Sequence, residues 1–210
     1  MASAKFILDI FAGATMPVTI VLMHLSGDRI QPIDLIDGHD LLDDEVFESV
    51  LLLASSGRIG AALAAPYCSK HSRATLKAPG PAPVRTPEHI NGLPDNTPQQ
   101  QMAVEESAAI HDRSRFLLSA VDQHPGLVIL ENPATSMTWD DPLMYHWVQA
   151  VAPYAAQACA CMFDRDWLKA WMFVSNRPDI FDNMSQQVLV KFHSSNGSSC
   201  WLLTFSGQSP

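Results

Sequence analysis

Residues 6–14 read FILDIFAGA, and the reading of this stretch decides the fold. A short apolar run broken only by Asp9 favours a buried strand, and Ala12-Gly13-Ala14 behind it supplies a tight turn. Pro17 suits the first turn of a helix, and residues 18–25 (VTIVLMHL) continue it until Gly27-Asp28. Residues 30–35 (IQPIDL) then read as a second short strand, with Pro32 marking its start or a sheet edge. Strand, turn, helix and strand in this order open an alternating α/β chain.

The alternation continues. In residues 43–55, Val46, Phe47, Val50, Leu51 and Ala54 share one helical face, and Asp43 and Asp44 sit where the helix N-terminus favours acids. Gly57 ends this helix, and residues 59–65 (IGAALAA) form a small-residue strand running into Pro66-Tyr67-Cys68. Helix is expected over 99–122, strand over 127–130 (LVIL) before Glu131-Asn132-Pro133, and helix over 141–156. Strands follow at 158–163 and 171–175, with further apolar runs at 188–192 and 201–205. The pattern predicts an α/β, Rossmann-like three-layer sandwich with a mostly parallel sheet covered on both faces. Such sheets bind ligands beyond the carboxyl ends of their strands. Three unusual tripeptides, Phe11-Ala12-Gly13, Pro66-Tyr67-Cys68 and Glu131-Asn132-Pro133, fall at predicted carboxyl ends.

Composition sets limits. With 210 residues, 47% of them hydrophobic, the chain is read as one domain over residues 1–210. A Pro/Gly-rich loop spans about 69–98, where Pro79, Gly80, Pro81, Pro83, Pro87, Gly92, Pro94 and Pro98 oppose regular structure. A loop of that length is expected to be functional or disordered. No apolar run is long enough to cross a membrane, and the N-terminus does not read as a secretory signal. Cys68, Cys159, Cys161 and Cys200 make no disulfide framework, which points to a reducing, intracellular compartment. Zinc would need four convergent ligands at finger-like spacing, so no metal is expected. The net charge of −9 opposes tight, free-standing nucleic-acid binding, which relies on phosphate neutralisation. Ser72 beside His71 suggests hydrolase chemistry, but no G-x-S-x-G elbow accompanies it. His111 and His146 read as surface or satisfied histidines, and Trp139, Trp147, Trp167 and Trp171 as core or rim.

Three motifs carry a resemblance. Asp9-Ile10-Phe11-Ala12-Gly13 resembles the D-L-F-A-G motif of the cytosine-C5 DNA methyltransferases. Ala65-Pro66-Tyr67-Cys68 with Ser72 resembles their P-P-C-x-x-x-S nucleophile motif, and Leu130-Glu131-Asn132-Pro133 their E-N-V motif. Residues 169–176 (KAWMFVSN) resemble a later strand in methyltransferase-like domains of mobile elements, so the similarity spans roughly 5–176. The resemblance implies a class I methyltransferase-type fold with S-adenosyl-L-methionine as cofactor. DNA is the implied partner, and a eukaryotic copy active on it would be nuclear.

It also implies roles. Asp9, Phe11, Ala12, Gly13 and Pro66 would line the cofactor site, with Gly13 letting backbone approach the methionine part. Asp34 would meet the ribose hydroxyls and Asp40 the adenine amino group. Cys68, as a thiolate favoured by Lys70, His71 and Arg73, would add to cytosine C6 and make C5 nucleophilic. A protonated Glu131 would hold the N3 edge, and Asn132 would fix the loop and orient Glu131. The base would be flipped from the duplex, and loop 69–98 would close over it. Departures favour an alternative, a non-catalytic module from a mobile element that binds only a partner or cofactor. Ala14-Thr15-Met16-Pro17 replaces the glycines that follow D-L-F-A-G, Tyr67 a proline, and Pro133 a valine; no Q-x-R-x-R motif is present.

Overall fold

The computed structural model describes residues 5–13, 19, 29–77, 79–80, 82–159 and 170–181. They form an α/β unit around a mixed six-stranded sheet in the order β2-β1-β3-β4-β6-β5. The strands are β1 (Phe6–Ile10), β2 (Arg29–Ile33), β3 (Ile59–Ala64), β4 (Leu127–Pro133), β5 (Tyr154–Cys159) and β6 (Ala170–Ser175). The four strands from β2 to β4 run parallel, and β6 is antiparallel to both β4 and β5. Chain order reverses between β1 and β3, because β2 lies on one side of β1 and β3 on the other. Pro32 lies in the edge strand β2, where its missing N–H costs no internal ladder bond.

Helices α1 (Asp44–Ala54), α2 (Pro98–Asp122) and α3 (Pro142–Val151) connect successive strands, with α2 contacting both others. Leu8 and Ile10 of β1, Val128 and Leu130 of β4, and Leu117, Leu118 and Val121 of α2 are fully buried in their shared core. Each such side chain contributes about 1.5–3 kcal/mol by leaving water. Arg113 of α2 holds α1 by donating to the carbonyls of Leu41 (2.6 Å) and Asp43 (3.1 Å) and pairing with Asp44. Its guanidinium also covers the Phe47 ring at 4.8 Å. Asp9 alternates with Leu8 and Ile10, so it faces the other side of the sheet, where it meets Thr19, a helical residue.

Helix α2 is longer than the strands it covers. Its 25 residues extend about 37 Å, against about 23 Å for the seven residues of β4. The helix enters from the carboxyl ends of the strands, so the excess overhangs that rim. Its buried stripe changes accordingly, from Ser107, His111 and Ser114 near the rim to Leu117, Leu118 and Val121 over the sheet. A capping box begins it: Thr97 Oγ1 accepts from Gln100 N, and Thr97 N donates to Gln100 Oε1.

Three sequence expectations are corrected. Residues 154–156 belong to β5 and not to the preceding helix, which ends at Val151 because Pro153 follows. Strand β4 extends through Glu131, Asn132 and Pro133, since β6 pairs with it there after β3 has ended. Loop 69–98 contains 3-10 turns at Ser69–His71 and Arg73–Leu76 and is fastened to α2, as described below. The helix expected at 18–25, apart from helical Thr19, the strand residues 160–163 and the runs at 188–192 and 201–205 lie outside the described residues.

Asn176, just past β6, fixes the reversed strand. Its Nδ2 donates to Gly126 O and Asp122 Oδ1, both at 2.8 Å, and its Oδ1 accepts from Val128 N at 3.0 Å. Asn176→Asp keeps the acceptor but removes both donors and faces Asp122 with a like charge. Urea unfolding is expected to show a loss of about 2–3 kcal/mol, whereas a loss below about 0.5 kcal/mol would deny Asn176 this role.

Candidate functional site

Parallel strands deliver the three singled-out tripeptides, and Asp34 beyond β2, to one rim. The turn after β1 is held to β2 by Phe11 N donating to Ile33 O (2.7 Å), and to β3 by Ala65 N donating to Ile10 O (3.2 Å). Gly13 N donates to Asp34 Oδ2 at 3.0 Å, so the glycine turn and the acid beyond β2 are in direct contact. Asn132 is fully buried at the end of β4, and its Nδ2 donates to Pro66 O at 2.9 Å. This bond ties the Glu131-Asn132 strand end to the turn that carries Tyr67 and Cys68. Asp40 lies close enough to Tyr67 for its charge, after burial and the charge of Glu106, to help raise the phenol above its ordinary range.

Two backbone angles in the first turn are unusual. Phe11 has φ 65° and Gly13 φ 74°. A bulky residue in the left-handed region costs on the order of 1–3 kcal/mol, and such strain concentrates at functional turns. At Gly13 a built Cβ would meet nothing within 4 Å among the described residues, so the angle, not crowding, calls for glycine. Asp9 is buried and accepts from Thr19 Oγ1 at 2.5 Å. Burial raises its carboxyl above the usual range, opposed by the Thr19 hydrogen bonds and reinforced by the nearby Asp34 charge. Asp34 Oδ1 accepts from Ile36 N (3.1 Å) and Asp40 Oδ1 from Leu42 N (2.8 Å), so both acids also shape their own loop.

Cys68 is half-buried and caps the 3-10 turn Ser69–His71, its carbonyl accepting from His71 N at 2.9 Å. Of the cations expected to support a thiolate there, His71 is corrected. Its side chain is buried, and burial, then His111 and Arg85, push its pKa down to about 2, so it is neutral. Arg73 is paired with Asp140 at 2.6 Å. Glu131, half-buried, lies opposite Phe173 of β6.

Behind this rim lies a buried polar cluster of which sequence reasoning saw only parts. Arg85, 1% exposed, donates to His71 Nε2 and, at 2.7 Å, to Val104 O. It forms no ion pair with a carboxylate among the described residues, and its Nε has no hydrogen-bond partner among them. Burial lowers its pKa to about 10, so it remains charged. Loop 69–98 is thus fastened by a buried cation, and further by Asn96 Nδ2 donating to Val84 O (2.8 Å) and Gln101 Nε2 to Asn91 O (3.1 Å). His111 is satisfied, as expected, but inside the protein: its Nδ1 donates to Ser107 O at 2.8 Å and its ring centre lies 4.2 Å from that of His71. Trp147 is core and Trp139 rim, donating to Ser119 Oγ and Pro133 O respectively. The one signal for the cluster was spacing, since Ser107, His111 and Ser114 share the helical face that later carries Leu118 and Val121.

The two buried histidines give a pH prediction. Burial pushes His111 down to about 4, so both it and His71 are neutral when folded and regain the ordinary value of 6.5 when unfolded. The unfolded chain therefore binds protons first, and the stability held above pH 6.5 is lost as pH falls towards the folded values. From pH 6.5 to 5 each histidine is expected to cost about 2 kcal/mol of unfolding free energy. Urea titrations should show a steep decline that becomes shallower by one proton in His71→Gln, and a flat profile over that range would contradict the account. No protein-family model, curated protein or solved structure matches this chain.

Proposed function

We propose that the chain is a Rossmann-like, class I methyltransferase-type domain that transfers a methyl group from S-adenosyl-L-methionine to cytosine C5 in DNA. The observation that carries this reading is the buried bond from Asn132 to Pro66 O, which joins two motifs distant in sequence at one strand-end rim. The parallel run of β2, β1, β3 and β4 in a mixed sheet also supports a fold of this class.

The rim fits such a cofactor. A Cβ on Gly13 would touch no described residue, and Asp34 and Asp40 offer carboxylates to hydroxyl and amino groups. Leu35 and Ile36, each 66% exposed beside Asp34, offer apolar surface to an aromatic base. Phe11, Ala12 and Pro66 would line the cofactor beside them. The bound cofactor supplies an electrophilic methyl group. Cys68, as a thiolate, forms a bond to C6 of the cytosine while Glu131 holds the N3 edge, and the displaced electron pair makes C5 nucleophilic. After methyl transfer, loss of the C5 proton to water would return the C5–H electron pair to the C5–C6 double bond and expel Cys68 as the thiolate. Asn132 keeps the Cys68 turn beside the Glu131 strand throughout. Loop 69–98, held by Arg85, acts as a fixed wall beside this turn, and any movement over the base is confined to its exposed parts.

A second reading has its own observation. Both oxygens of Asp34 already accept backbone amides, from Gly13 and Ile36, as in a purely structural tie. The domain would then be a non-catalytic module that binds a partner or the cofactor alone. Titration calorimetry with S-adenosyl-L-methionine, followed by trapping on a 5-fluorocytosine DNA duplex, separates the readings. The transferase reading expects cofactor binding and a covalent adduct that disappears in Cys68→Ser while cofactor affinity stays within about twofold. Cofactor binding with no adduct supports the module, and absence of both removes the methyltransferase reading.

A further inference from the structure

The buried cluster behind Cys68 can be resolved proton by proton. Arg85 Nη1 only donates, so His71 Nε2 must accept, and the one proton of the neutral ring sits on Nδ1, which donates to Ser107 Oγ at 3.1 Å. The Ser107 carbonyl accepts from His111 Nδ1, which leaves His111 Nε2 as an acceptor. Thr138 Oγ1 stands 3.0 Å from that nitrogen and 3.4 Å from Asn132 Oδ1. It also receives the Ser136 hydroxyl at 2.9 Å. A threonine hydroxyl has one proton, and two acceptors compete for it. His111 lies closer and takes it, so Asn132 is held at its Nδ2 end, on Pro66 O, and only weakly at its oxygen.

We propose that Thr138 is a positioning residue for the Cys68 turn, its single hydroxyl proton shared between His111 and Asn132 so that the partner receiving it sets how firmly Asn132 holds Pro66. Removing the His111 acceptor sends the proton to Asn132 Oδ1 and fixes the Asn132 amide at both ends. Groups acting on His111 come from every packed element: His71 from the 3-10 turn, Arg85 from the loop, Asp112 from its own helix and Asp141 from the start of α3. Burial dominates them and keeps the ring neutral. The importance of the Cys68 turn rests on the transferase reading, but the hydrogen-bond competition does not.

The test is alkylation of Cys68 by N-ethylmaleimide, read at that cysteine by peptide mass spectrometry and requiring neither cofactor nor DNA. His111→Phe is expected to slow the reaction about threefold, because a more firmly held turn admits the reagent less often. The slowing should vanish in the Thr138→Val background and persist in Thr138→Ser, which retains the hydroxyl. A general loosening of the core would instead speed alkylation in every variant, and that outcome overturns the proposal, as does equal slowing with and without the Thr138 hydroxyl. His111→Leu lacks the same acceptor and decides by its sign alone should His111→Phe or the double variant not fold. Alkylation of the expected sign together with failed 5-fluorocytosine trapping would remove the transferase reading and leave the positioning role standing.

Discussion

Strands that run parallel must release the chain at the same rim, and β2, β1, β3 and β4 all do so. Everything proposed for this protein depends on that constraint. It brings the Gly13 turn, Asp34, the Pro66-Tyr67-Cys68 turn and the Asn132 strand end together although up to about 120 residues separate them in sequence. Chain order reverses between β1 and β3, the place in open α/β sheets where ligands are generally met. Two hydrogen bonds then convert proximity into a defined surface, Gly13 N to Asp34 and Asn132 Nδ2 to Pro66 O.

The rim carries an energetic cost that the remainder of the fold offsets. A buried guanidinium without a carboxylate partner among the described residues, two neutral histidines and a left-handed phenylalanine each oppose folding. The apolar half of α2 and the inward residues of β1, β3 and β4 provide the compensating burial. Polar groups so expensive to bury are retained only where each finds a defined partner. The hydrogen bonds from Arg85 through His71, Ser107, His111 and Thr138 supply nearly all of them. The arrangement holds the chain around Cys68 in place more narrowly than an apolar filling would.

Much of the framework was legible in the residues. FILDIF, IGAALAA and LVIL announce strands β1, β3 and β4 because short apolar runs bounded by turns have few other uses, and Asp43 and Asp44 marked the start of α1 as acids that a helix N-terminus favours. The strand ends followed, since an alternating chain implies a parallel sheet. What periodicity cannot report is partner and direction. Nothing local to residues 170–175 says that β6 runs antiparallel, a direction seen only in its pairing with β4 and β5, where Asn176 reaches back to Gly126 and Val128. Charge type misled at His71, which looked like a cation for Cys68 until burial beside Arg85 made it an acceptor. Arg85 itself drew no attention, because a lone arginine in a proline-rich stretch reads as solvated.

The central claim, that these four segments share one rim, is tested most directly by a nitroxide attached to Cys68 after Cys159, Cys161 and Cys200 are replaced by serine. Paramagnetic broadening should be strongest for the backbone amides of Gly13, Ile36 and Asn132, with Arg58 and Leu127 at the opposite ends of the strands left sharp. Broadening centred on Arg58 and Leu127, with Gly13 and Asn132 unaffected, would contradict the shared rim.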